Sequence, residues 1–247
     1  MDKNILITLQ YDGTRYSGWQ RQGNTDNTIE TKISLVLKNM LDLDYNVEIH
    51  GSGRTDSGVH AMGQTANFHI NTDKEPSEIK DYLNRYLPED IKVIEACVVD
   101  KRFHARLSVK KKEYVYSIDT SDKADVFTRK YSWNYSHFLD VDKMQSAVNI
   151  LVGRHDFASF SDMKGKKSTV RTIENISIEK DNNYIRITFL GEGFLYHMVR
   201  KLTAAIVMIG TGDLTEEQLI DILNKKDKKA FSMLAPAKGL CLKRVHY

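Results

Sequence analysis

Cysteine is almost absent from the 247 residues: Cys97 and Cys241 are the only two. Each stands in an apolar, strand-like context. That excludes a disulfide framework and a zinc site, and predicts two buried thiols in a reducing cytosol. Proline is nearly as scarce, at three residues, and no Ser/Gly-rich tract reads as a linker. Disorder is therefore expected only at loop tips. No apolar run approaches the roughly eighteen residues of a membrane span. Met1-Asp2-Lys3-Asn4-Ile5 lacks the basic stretch and apolar core of a secretory signal, so no membrane association is expected and the cytoplasm is the predicted compartment. Charge of one sign is also missing: 36 Lys and Arg against 33 Asp and Glu leave a net +3. Such a balance permits nucleic-acid binding without arguing for it.

What is present is an ordinary soluble composition, 41% hydrophobic and 28% charged, long enough for one large or two small domains. Positive charge gathers locally at Lys110-Lys111-Lys112, at Lys164 with Lys166-Lys167, and at Lys225-Lys226 with Lys228-Lys229. The last cluster reads as a solvated helix face. The others read either as solvated loop or helix faces or as contacts to a phosphate backbone.

Periodicity supplies the elements. Residues 5–11 alternate and read as a strand closed by Asp12-Gly13. Thr28 is a candidate N-cap for a helix through Ile29, Ile33, Val36, Leu37, Met40 and Leu41. Residues 47–49 read as a short strand entering Gly51-Ser52-Gly53. A strand follows from Gln64 through Ala66, Phe68 and Ile70. A helix through Ile79, Tyr82, Leu83 and Tyr86 must stop before Pro88, and residues 91–99 read as a mostly buried strand. Strand, helix, strand, strand, helix, strand is the ferredoxin-like βαββαβ order.

Residues 109–245 suggest a second copy. A strand over 109–118 precedes a helix through Met144, Ala147, Val148 and Leu151, with Asp140 as its cap. Two strands, 169–180 and 184–190, turn at Asp181-Asn182-Asn183. A helix from near Phe194 to Ile209 ends at Gly210, an additional helix covers 215–224, and 240–245 is a last strand. The predicted fold class is α+β: two tandem ferredoxin/RRM-like βαββαβ units with predominantly antiparallel sheets and an active-site cleft at their junction. The predicted domains are residues 1–107, carrying a glycine-rich loop, and residues 108–247.

That loop is the most distinctive local feature. Gly51, Gly53 and Gly58 surround Arg54, Thr55 and Asp56, implying positive φ angles or close backbone approach. A dinucleotide fingerprint fails, because the sixth position from Gly51 is Asp56 and no helix follows. A phosphate-binding P-loop fails for want of Gly-Lys-Ser/Thr. The residues alone leave open an ordinary turn in which Asp56 caps backbone amides. His50, His60 and His69 fit no zinc spacing. Arg200 stands among Phe194, Met198, Val199 and Leu202, where a lone cation needs a buried partner. Tyr114 and Tyr116 share a strand face and are not separable by spacing.

The run Gly53-Arg54-Thr55-Asp56-Ser57-Gly58-Val59-His60-Ala61 closely resembles the catalytic signature of the tRNA pseudouridine synthase A family. Five further segments resemble that family's motifs in the same order. They are Tyr11-Asp12-Gly13-Thr14 with Gly18-Trp19-Gln20; Phe103-His104-Ala105-Arg106 with Lys112-Glu113-Tyr114-Val115-Tyr116; and Phe157-Ala158-Ser159-Phe160. Phe194-Leu195-Tyr196-His197-Met198-Val199-Arg200 and Ala235-Pro236-Ala237-Lys238-Gly239-Leu240 complete the series. One departure is Ser57, where the family usually has alanine.

The resemblance implies a cofactor-free and metal-free isomerase that converts uridine to pseudouridine at positions 38, 39 and 40 of the tRNA anticodon stem-loop, working as a homodimer. It implies Asp56 as the catalytic aspartate, attacking C1′ or removing a C2′ proton, with Arg200 keeping it ionised. Tyr114 would stack on the uracil, a contact worth roughly 1–3 kcal/mol, and assist proton transfer at C5. Arg54 would hold the flipped-out nucleotide, and Ser57 would lie beside the substrate. His60 either contacts RNA or orders the loop. Two other readings remain. One is a non-catalytic pair of RRM-like modules, weakened by the absence of an RNP1 consensus. The other is the same chemistry on other RNA targets, with specificity in loops 12–27 and 160–168.

Overall fold

The structure, a computed structural model, describes residues 1–165 and 167–247; Lys166, part of one lysine cluster, lies outside the described residues. The described residues form a mixed α+β protein with five α-helices and mostly antiparallel strand pairing. They divide into two compact units, Met1–Lys110 with Leu242–Tyr247, and Lys111–Cys241. None of the described helices is long and apolar enough to cross a membrane.

The first unit contains β1 (Asp2–Tyr11), α1 (Ile29–Met40), β2 (His50–Gly51), β3 (His60–Asn71), α2 (Pro76–Tyr86) and β4 (Ile91–Val99). β1 lies between β4 and β3, antiparallel to both, and β2 pairs antiparallel with β3. The alternation in β1 buries Ile5, Ile7 and Leu9 completely. The apolar faces of α1 (Ile29, Ile33, Leu37) and α2 (Ile79, Leu83) are buried as well. The Thr28 side chain accepts from the Thr31 N–H and caps α1, while a Glu75/Glu78 capping box starts α2. On the opposite face of β1, Asn4 donates to the carbonyls of Asp100 and Phe103, and Asn67 accepts from the Ala105 N–H. These buried amides tie the Phe103-His104-Ala105-Arg106 segment to the sheet. The Tyr247 hydroxyl donates to the Ala105 carbonyl at 2.9 Å and lies 2.6 Å from Thr65 Oγ1. Its burial pushes the phenol pKa up to about 12.

The second unit holds β5 (Lys111–Asp119), β6 (Trp133–Asn134), α3 (Val141–Leu151), β7 (Gly153–Asp156), β8 (Val170–Asp181), β9 (Tyr184–Gly191), α4 (Met198–Thr211) and α5 (Glu216–Lys225). The chain's last strand is β10 (Leu240–His246). β5, β9, β8 and β7 are neighbours in that order, and each pair is antiparallel. β6 adds a short parallel pairing on β5. Asp140 caps α3 through the amides of Asp142 and Lys143, and Thr215 with Gln218 forms a capping box on α5.

Several expected features shift. Residues 47–49 bury Val47 and Ile49 but make no ladder; only His50–Gly51 pairs with β3. β4 is not a buried strand, because it stands at the end of the sheet order; Val98 is 52% exposed and Cys97 is exposed. Cys241 is half-buried, so neither thiol is sealed in a core as expected. α4 begins at Met198 rather than near Phe194, because His197 takes a left-handed conformation at φ 64°. It ends at Gly212, also left-handed, and not at Gly210. Gly210 is instead a packing residue: a Cβ there would stand 2.7 Å from Met144 Cγ of α3. β6 and β7 are too short and polar to announce themselves by alternation.

Candidate active site

In the first unit, residues 51–59 form a loop built against residues 11–19. Three glycines make the approach possible. A Cβ on Gly13 would lie 2.0 Å from the Val59 carbonyl oxygen, and one on Gly51 would lie 2.4 Å from the Trp19 indole nitrogen. A Cβ on Gly18, which takes φ 94°, would lie 2.7 Å from the Thr55 carbonyl oxygen. Hydrogen bonds complete the join: the Trp19 N–H donates to the Thr55 carbonyl at 3.0 Å, and the Tyr11 and Thr55 hydroxyls share one at 2.8 Å. From below, Ser52 Oγ donates to Gln64 Oε1, and Gln64 Nε2 donates to the Gly53 carbonyl. Gly58 at φ 78° turns the chain into β3, with the Val59 N–H donating to the Asp56 carbonyl.

Asp56 is half-buried at the middle of this loop. Arg54 and Ser57 flank it and are exposed. Arg54 Nε donates to Gln20 Oε1 at 3.0 Å. The Ser57 hydroxyl donates to the Tyr16 carbonyl at 3.0 Å, so the group that replaces the usual alanine is turned onto the neighbouring segment. The Tyr16 hydroxyl donates to Asp90, and burial followed by that bond drives its pKa well above the usual tyrosine range. His60 is only 5% exposed. Its Nδ1 accepts from the Gly13 N–H at 3.1 Å and lies 3.2 Å from an Asp12 carboxylate oxygen. A ring so buried acts on the loop that it orders. Sequence spacing did not single out Gln20 as a partner of Arg54, and Glu30, in the first turn of α1, carried no signal beyond an acid near a helix start.

In the second unit, Tyr114 and Tyr116 do share the buried face of β5, and their surroundings separate them. Tyr116 is fully buried, and its hydroxyl donates to the Pro236 carbonyl at 2.7 Å. A Cβ on Gly239 would meet its ring at 2.6 Å. Burial raises its pKa far above the ordinary value, with Arg200 opposing. Tyr116 is a core residue that fixes the Ala235-Pro236-Ala237-Lys238-Gly239-Leu240 segment. Tyr114 is 7% exposed and meets Phe194 edge-on at 5.3 Å.

Arg200 stands in the first turn of α4. Its Nε donates to the Ala235 carbonyl at 2.8 Å, and the Ala235 N–H returns a bond to the Arg200 carbonyl at 3.3 Å. The turn before it is fixed by Asp162, which accepts from His197 Nδ1 and Lys201 Nζ, both at 2.7 Å. Lys201 is 2% exposed and also donates to the Phe231 carbonyl. Neither Asp162 nor Lys201 was visible from sequence. Phe157 and Phe160 are fully buried, so the segment that holds them serves the core. Lys111 pairs with Glu174 at 2.7 Å. Thus the first unit brings together Arg54, Asp56, Ser57 and His60, and the second carries Tyr114 and Arg200 on β5 and α4. Among the described residues, no three His, Cys, Asp or Glu side chains gather as a metal site.

A family model described as tRNA pseudouridine synthase matches residues 7–107 and 147–247. A tRNA pseudouridine synthase A from Bacillus sp. (strain KSM-64) is 45% identical over 245 residues, covering 99% of both chains. The tRNA pseudouridine synthase A 1 of Clostridium tetani is 42% identical over 246 residues, covering 99% of this chain and 100% of its own. Matched along both halves and over nearly its full length, the chain belongs to the tRNA pseudouridine synthase family.

Proposed function

We propose that this protein isomerises uridine to pseudouridine at positions 38, 39 and 40 of the tRNA anticodon stem-loop, with Asp56 as the catalytic residue. The observation that carries the reading is the Asp56 loop itself, met backbone to backbone by Gly13 and Gly18, where no side chain would fit. Such rigidity suits a carboxylate that must meet one sugar carbon in one geometry. The family membership supplies the reaction class.

In the reaction the bond from uracil N1 to C1′ breaks, the base turns, and C5 bonds to C1′. The proton on C5 is then lost, and N1 of the product carries one. Asp56 either attacks C1′ or removes a proton from C2′, and either role needs its ionised form. Arg200 supplies the cation that keeps it so, which asks its guanidinium to serve Asp56 from α4. Tyr114 stacks on the base and assists removal of the C5 proton. Arg54 grips the flipped-out nucleotide, Ser57 lies at the substrate's edge, and His60 reaches the substrate through the loop it orders. No cofactor enters these steps.

The same reading takes the two units as tandem ferredoxin-like domains, the first carrying the Asp56 loop and the second completing the site in a cleft at their junction. The order β1-α1-β2-β3-α2-β4 supports this for the first unit. The working form is a cytoplasmic homodimer that holds tRNA across both subunits. Anticodon stem-loops tritiated at C5 of uridine test the assignment. Wild-type protein is expected to release tritium and Asp56→Ala to release none; equal release by both would sink the role of Asp56.

A further inference from the structure

Arg54 is exposed, yet its guanidinium is not left to wander. Nε donates to Gln20 Oε1 at 3.0 Å, and the terminal nitrogens make no hydrogen bond among the described residues. Gln20 Nε2 in turn donates to Glu30 Oε2 at 2.7 Å. The same carboxylate oxygen accepts the Arg21 N–H at 2.8 Å. Backbone bonds hold Glu30 in place: its N–H donates to the Trp19 carbonyl at 3.0 Å, and the Ile29 N–H to the Gly18 carbonyl at 3.2 Å. Trp19 itself is buried beneath Gly51.

The chemistry of the three side chains allows one order. Arginine only donates, and an ionised carboxylate only accepts. A carboxamide between them must turn its NH2 to Glu30 and its oxygen to Arg54. If Glu30 offered no acceptor, the amide could rotate and present N–H to N–H. We propose that Gln20 and Glu30 are positioning residues for substrate binding: Glu30 fixes the orientation of the Gln20 carboxamide, which holds the Arg54 guanidinium with its terminal nitrogens turned to RNA. The inference rests on the proposed role of Arg54 in gripping the flipped nucleotide. An arginine already ordered loses less freedom when it closes on phosphate, so the pair acts on affinity rather than on the chemical step.

Glu30 is half-buried, and burial holds its carboxyl above the usual range, against the Arg21 backbone bond and the charges of Arg21, Arg54 and His50. An acid kept there against its own desolvation has a partner to serve.

The experiment compares KM and kcat on an anticodon stem-loop for Arg54→Ala, Gln20→Ala, Glu30→Leu, Glu30→Gln and the Arg54→Ala/Gln20→Ala pair. Gln20→Ala and Glu30→Leu are expected to raise KM by roughly 3- to 10-fold with kcat little changed. Glu30→Gln keeps an acceptor oxygen in place and should restore most of the affinity. The double variant should be no worse than Arg54→Ala alone, since both act through one group. Additive losses, or an unchanged KM for Gln20→Ala beside a raised one for Arg54→Ala, would overturn the inference and leave the role of Arg54 standing. An unchanged KM for Arg54→Ala would overturn both. If Glu30→Leu fails to fold, Gln20→Ala and the double variant decide alone, Gln20 lying near the surface.

Discussion

Gly13 and Val59 meet backbone to backbone, so closely that a Cβ on the glycine would stand 2.0 Å from the Val59 carbonyl oxygen. These residues are far apart in the chain, and the contact explains why an amino-terminal Tyr-Asp-Gly-Thr segment accompanies the Asp56 loop. The first forms the wall on which the second is shaped. His60 reinforces the contact by accepting the Gly13 N–H.

Gly13→Ala is therefore expected to damage activity more than its size suggests. The neighbour is backbone and cannot swing aside, so the loop must shift, at a cost of about 1–3 kcal/mol in stability. Displacement of the carboxylate should lower kcat by about 100-fold. Gly23→Ala is the matched control, since a Cβ there meets nothing within 4 Å. Tritium release and thermal unfolding of both variants check this; equal activity in the two would refute the wall.

The two tyrosines of β5 should part company in the same way. Tyr116→Phe removes the hydroxyl bond to the half-buried Pro236 carbonyl, which keeps only the longer one from the Gly239 N–H, and is expected to cost about 1 kcal/mol of stability, leaving kcat nearly intact. Tyr114→Phe keeps the edge-on contact with Phe194 and should lower kcat by about 100-fold through loss of the hydroxyl. Denaturant melts and initial rates on the same preparations distinguish the outcomes. A stability loss confined to Tyr114→Phe would reverse the assignment.

What could be read in advance was local. Thr28, Asp140 and Thr215 mark helix starts because capping is settled within one turn. What failed depended on distant partners. Val98 and Cys97 look like core, but among the described residues β4 has a strand neighbour on one side only. Phe194 to His197 continues a helical apolar pattern, yet Asp162, remote in sequence, holds His197 in a left-handed turn. Gly210 and Gly212 are equal candidates for a helix end until Met144 claims the first. For the site, glycine spacing implied a shaped loop, while the reaction came from the family resemblance alone. The link from Glu30 through Gln20 to Arg54 was silent because it exists only when α1 is docked.

Glu30 should leave a mark on stability. Burial raises its carboxyl pKa, so the folded state binds that proton more tightly than the unfolded chain does. The associated stability is fully present below the unfolded value and is lost as pH rises through the folded one. Ionised Glu30 is thus a cost at neutral pH. Glu30→Gln is expected to melt at the same or a higher temperature than wild type near pH 7.5, with no advantage near pH 4. A variant less stable at pH 7.5 than at pH 4, relative to wild type, would contradict this.

Asp162 behaves in the opposite sense. Burial pushes its carboxyl up, but hydrogen bonds from Lys201 and His197, with their charges, outweigh it and hold the pKa below the usual value. Stability from this group is present above the unfolded pKa and is lost as pH falls through the folded one. Asp162→Asn leaves the Lys201 ammonium, 2% exposed, without its counter-charge. The full penalty for breaking a buried pair is about 3–5 kcal/mol. Because the Asp162 side chain is 40% exposed, solvent screening reduces the expected loss to about 1–3 kcal/mol near neutral pH. The difference from wild type should shrink once the solution is more acidic than about pH 4, where the unfolded carboxyl takes up its proton. Denaturant unfolding of both proteins across that range provides the check. A loss that stayed constant with pH would mean that the amide perturbs packing, and that the charge on Asp162 does not hold the start of α4.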